Sequence, residues 1–313
     1  MSRPSEGTAV PTEGTMSMIS LKSLGQKHPL VVYVAISYIL CWAFLYPAFK
    51  LLLAAKGSFP PLALFGLIGA YGPSLAALFM FAFAGGWEGV RTGLRKFLQW
   101  RQPVGWYLFV LIFPICIHIA AVLIHMHPAA DFLGGSRTIP LAFLVALPFG
   151  PLAEELGWRG YFLPQLLKRY DAITATFIVG FVWAAWHVPI FVFPGAAIPS
   201  YFGVSAWSIF LFVCSITAEA FAFTYLFLKT NGNLILAILL HMAFNASPNI
   251  AEGFFPALET AKAVRERIYI TDFVLVAVCM LVCFAFDRTV RAKLAATDAL
   301  EAETGAPQDA PTP

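Results

Sequence analysis

Three pairs of residues with helical spacing could do chemistry together. Glu154 and Glu155 are followed by Arg159, Trp183 is followed four later by His187, and His241 is followed four later by Asn245. Side chains four apart share one face of a helix, and a glutamate preceding a cation by four is the favourable order, so Glu155 pairs with Arg159. Glu154 sits about 100° round the helix from Glu155 and is left free to act. A structural role would need one acid for one arginine, so the second acid is surplus. A carboxylate and two imidazoles form a ligand set for zinc, with Glu154, His187 and His241 as ligands and water in the open position. Alternatively, a Glu–His pair activates water while a histidine and an asparagine donate to an oxyanion. Either use needs water, so these faces must line a polar cavity.

The chain that positions them is built for a bilayer. Of its 313 residues 59% are hydrophobic and only 12% charged, about half the charge of a soluble globular protein. The mean hydropathy is +0.77. Soluble enzyme classes are excluded, and a net charge of +3 is too small to imply a nucleic-acid partner. Cys41, Cys116, Cys214, Cys279 and Cys283 all fall in apolar runs and read as packing residues rather than a disulfide framework.

The expected fold class is therefore all-α, a polytopic membrane protein of about eight transmembrane helices around a buried polar active site. The spans run roughly 29–49, 61–84, 104–125, 139–167, 172–194, 204–228, 233–249 and 269–287, each near the ~20 apolar residues a crossing needs. The fourth is long, carries Pro148, Pro151 and Pro164, and is expected to kink. Residues 1–27 and 296–313 lack apolar runs and read as disordered tails flanking a helical domain at 28–295. With the N-terminus inside, 13 of the 20 Lys and Arg fall on the inner side and 6 on the outer, leaving Arg159 within a span. That bias places both termini in the cytoplasm. Trp87 to Arg101 reads as a basic amphipathic helix on the inner interface.

Other ionisable groups in the spans are His118, His125 and Glu219. The two histidines read as helix–helix hydrogen-bonding groups. Glu219 reads as a buried polar residue or a further site group.

In order and spacing the three pairs resemble the motifs of the CAAX-protease and bacteriocin-processing (CPBP, or Abi) intramembrane proteases, which include the type II CAAX prenyl endopeptidases. Glu154-Glu155-Leu156-Gly157-Trp158-Arg159 matches the first motif and Trp183 to His187 the second, with Trp where Phe is usual. His241 to Asn245 matches the third, and the resemblance covers roughly 139–250. It implies a membrane endopeptidase in which Glu154 and His187 activate water, His241 and Asn245 bind a metal or the oxyanion, and Arg159 orients the glutamates. It leaves open a zinc enzyme or a metal-free glutamate protease. The implied partners are the bilayer and a peptide or lipidated-protein substrate cleaved near the cytoplasmic leaflet. Compact loops suggest a bacterial inner-membrane protein. The other reading is a non-catalytic membrane protein that retains the fold, either a proton-coupled transporter or a scaffold. Motifs of other intramembrane proteases, HExxH, GxSG and GxGD, are missing from the chain.

Overall fold

The computed structural model describes residues 23, 25–55, 60–148, 150–192, 203–260 and 262–292; the tail at 296–313 and most of that at 1–27 lie outside them. Among the described residues every regular element is a helix. The principal ones are α1 (Pro29–Ala54), α2 (Gly66–Ala70), α3 (Gly72–Arg95), α4 (Val104–His125), α5 (Phe132–Ala146) and α6 (Pro151–Gly157). They continue with α7 (Leu163–Leu166), α8 (Ala172–Trp186), α9 (Val188–Val192), α10 (Ala206–Thr230), α11 (Leu234–Phe254) and α12 (Lys262–Phe286). The chain is an all-α polytopic membrane protein: five helices are long and apolar enough to cross a bilayer, or seven if each of two bent pairs forms one span. The eight apolar segments read from the sequence all recur as helices. The fifth is the exception in length, because α8 stops at Trp186 after 15 residues. Its stop is local: Pro189 cannot donate to the preceding turn.

The expected kink in the fourth segment lies between α5 and α6, which meet at 50°. Pro151 opens α6, where a missing N–H costs nothing. A π turn at Trp158–Phe162 then separates α6 from α7. Pro164 cannot donate to the carbonyl of Gly160 four residues back, and Lys96 Nζ donates to it instead at 2.6 Å. In α3 the helix breaks at Gly85 and Gly86, where φ of +58° at Gly86 suits only glycine. The break turns the amphipathic segment away from the span; its helical part ends in a 3-10 turn at Leu98, short of Arg101.

Polar contacts define the two ends of the bundle. Asn233 donates to the carbonyl of Gln99, and Lys229 pairs with Asp287 at 2.8 Å. That end also carries Arg95, Lys168 and Arg169. At the opposite end Asp131 N–H donates to Phe254 O at 2.7 Å. Between them, His118 meets Asp272 at 3.1 Å and His125 meets Thr271 at 2.6 Å, tying α4 to α12.

The orientation expected from the Lys/Arg bias puts the Arg95 end in the cytoplasm. With the native cysteines replaced, Arg95→Cys in intact cells is expected to resist an impermeant thiol reagent until the membrane is opened, and Glu259→Cys to react at once. The opposite pattern would invert the protein in the bilayer.

Candidate active site

Helix α6 places Glu154 in its first turn, where the helix dipole favours a carboxylate. Glu155, one residue on, points the other way. Its Oε1 accepts from Arg159 Nη1 at 2.8 Å and from His241 Nδ1 at 2.7 Å. Glu155, Arg159 and His241 expose at most 4% of their surface. A buried ion pair repays its desolvation only when well placed, and losing one partner costs ~3–5 kcal/mol. Arg159 Nε and Nη2 have no hydrogen-bond partner among the described residues. Instead the guanidinium lies over the rings of Phe223 and Trp183, 3.6 and 4.2 Å from their centroids, so aromatic faces offset its charge.

Glu154 is bonded differently. Its Oε2 accepts from Trp158 Nε1 at 3.2 Å and from Trp183 Nε1 at 2.6 Å. A phenylalanine at 183 would supply no donor. Its Oε1 faces Gly150, and there the site closes. A Cβ built on Gly150 would stand 2.9 Å from Asn245 Nδ2, 3.2 Å from His241 Nε2 and 3.5 Å from Glu154 Oε1. Three polar atoms from two helices thus converge on one point that the missing side chain leaves clear. Gly150 was not among the residues singled out from the sequence; a lone glycine before Pro151 signals a turn and nothing about the opposing helix.

His187 stands apart from this convergence. It forms the C-cap of α8, with Nδ1 bonded to Trp183 O at 2.8 Å. The Trp183 indole packs against both imidazoles, with centroids 6.1 Å from His187 and 5.3 Å from His241. Among the described residues no three His, Cys, Asp or Glu side chains come together as a metal-holding set. Glu154, His187 and His241, the zinc ligands expected from the sequence, do not form such a group among the described residues.

All four outward-facing groups, Glu154, His187, His241 and Asn245, line one cavity of about 430 Å³. Its other walls include Phe191, Phe212, Ile216 and Phe244, with Glu219 in α10. It reaches Glu252, Leu258 and Arg265, where Glu252 and Arg265 pair at 3.1 Å. From His241 to Glu252 is about 16 Å along α11 at 1.5 Å per residue. The cavity thus runs toward the Glu259 end, away from the Lys/Arg-rich one. The sequence marks which residues share a helix face, not the end toward which a space between helices opens.

Comparison with known proteins falls on this same region. Residues 136–247 match the family described as type II CAAX prenyl endopeptidase Rce1-like. They contain Gly150, Glu154, Glu155, Arg159, Trp183, His187, His241 and Asn245. Over 112 residues the chain is 32% identical to CAAX prenyl protease 2 of Methanococcus maripaludis, which covers 36% of this chain and 41% of that protein. The chain thus spans about two-fifths of that relative's length.

Gly150→Ala tests the convergence point. The φ of −179° at Gly150 lies outside the left-handed region that favours glycine, so the added methyl acts through its close contacts with Asn245 and His241. That methyl would fill the point, and misplacement on this scale costs ~10²-fold in turnover. Loss of cleavage with an unchanged melting temperature is expected. Full activity would show that the reaction occurs elsewhere.

Proposed function

We propose that the protein is an intramembrane endopeptidase that hydrolyses a peptide bond of a membrane-associated substrate with a water activated by Glu154. The observation that carries this reading is the meeting of Glu154 Oε1, His241 Nε2 and Asn245 Nδ2 beside Gly150 at the wall of the cavity. Two carboxylates against one guanidinium leave a net negative charge in a low-dielectric site, which receiving a proton would cancel. Glu154, helped by His187 on the same cavity wall, takes a proton from water as the water oxygen bonds to the scissile carbonyl carbon. The charge gathering on the carbonyl oxygen is met by Asn245 Nδ2–H, and by His241 Nε2–H only when that imidazole is protonated. The Nδ1–H bond to Glu155 leaves His241 Nε2 facing the reaction point, where it accepts in the neutral ring and donates once protonated. Collapse breaks the C–N bond, and the proton passes to the leaving amine. Arg159 holds Glu155, and through it His241.

The substrate class follows from the walls. Phe191, Phe212, Ile216 and Phe244 offer an apolar surface suited to apolar side chains or an attached lipid. The name of the Methanococcus maripaludis relative supports including prenylated CAAX peptides among the candidates. Nothing in the site favours the transporter or scaffold reading, since each motif residue is kept.

The test is a panel of matched lipidated and unlipidated peptides, cleaved by purified protein in detergent with Glu154→Ala as the blank. Cleavage by the wild type alone is expected. Elemental analysis of the same active sample is expected to give well under one metal per chain, and chelators should leave the rate unchanged. One tightly held metal per chain, lost together with activity, would replace the metal-free route. Equal cleavage by Glu154→Ala would end the assignment.

A further inference from the structure

Trp183 touches four of the six motif residues. Its N–H donates to Glu154, its ring lies over Arg159 and against His241, and its carbonyl accepts from His187. A buried indole needs some acceptor for its N–H, and any carbonyl would do. Here Trp158 and Trp183, exposing 0% and 1% of their surface, come from different elements to the same carboxylate oxygen. Indole nitrogen only donates, and a 2.6 Å bond to a carboxylate belongs to the strong, charge-assisted kind. With both donors on Oε2, the carboxylate cannot rotate without breaking two buried bonds. Oε1 is thereby held toward Gly150, His241 Nε2 and Asn245 Nδ2.

We infer that Trp158 and Trp183 are positioning residues: a two-indole clamp that presents one fixed oxygen of Glu154 to the reacting water. This rests on the endopeptidase reading above. It also assigns a purpose to the tryptophan at 183 that ring packing does not supply.

Trp183→Phe isolates the clamp, because phenylalanine keeps an aromatic ring near Arg159 and His241 and the same backbone carbonyl for His187. The expected result is a fall in kcat of ~10–10²-fold with KM unchanged, the signature of lost orientation rather than lost binding. Trp158→Phe should show the same split with a smaller loss, since its bond is longer at 3.2 Å. It carries the kinetic test alone if Trp183→Phe fails to fold. A merely structural role would lower the folded fraction and leave kcat per folded molecule untouched.

A second measurement needs no activity. Trp183→Phe should lower Tm in the wild-type background, yet leave it unchanged or raise it in a Glu154→Leu background, where the indole N–H has already lost its acceptor. Equal lowering of Tm in both backgrounds, or unchanged kcat in both tryptophan variants, would overturn the clamp. If the wild type cleaves nothing, the endopeptidase reading fails while the melting cycle still decides the clamp. If cleavage depends on Glu154 but not on either indole, the clamp fails alone.

Discussion

One carboxylate oxygen organises this protein. Glu155 Oε1 is shared between Arg159 and His241, out of reach of bulk water, and so joins the fourth apolar segment to α11. Burying such a bridge is costly unless all its members are placed together, and removing one strands the rest. The two helices therefore have one workable register. In that register Asn245, one turn beyond His241, comes to Gly150, and Glu154 turns its free oxygen to the same point. In the proposed mechanism the neighbouring glutamates divide the labour: one holds the helices and the other is left for chemistry.

The surroundings serve the same arrangement. Arg159 is flanked by Phe223 and Trp183, so its charge needs no water that would otherwise flood the core. The π turn after Gly157 is a departure from regular helix of the kind often found at functional sites. It arises where Pro164 withholds a hydrogen bond, and Lys96 from the amphipathic segment completes the carbonyl of Gly160. A cation on one side of the bundle thus supports the element that carries the glutamates.

Much of this was legible from residue spacing. Apolar run lengths marked the eight helical segments, prolines marked the kink before α6, and the four-residue interval gave the Glu155–Arg159 pair. These are properties of one helix at a time. What spacing cannot encode is how one helix stands against another. Glu155 bonding to His241, the indole of Trp183 reaching Glu154, and Gly150 opposing Asn245 are all contacts between elements. His187 shows the same limit. Its interval from Trp183 marks a shared helix face, but not that α8 ends there with the His187 Nδ1 bonded to Trp183 O. Gly150 acts through an absent side chain, and composition carries no trace of that.

The central claim is that Glu155 carries the structure and Glu154 the chemistry. Paired melting and turnover measurements on Glu154→Gln and Glu155→Gln test it most directly. Glutamine at 154 keeps an acceptor for the two indoles but is a far weaker base, so the melting temperature should hold while turnover falls ~10²–10⁴-fold. Glutamine at 155 removes the charge opposite buried Arg159, so the melting temperature should drop sharply. Turnover surviving in Glu154→Gln, or a melting loss at 154 equal to that at 155, would contradict the account.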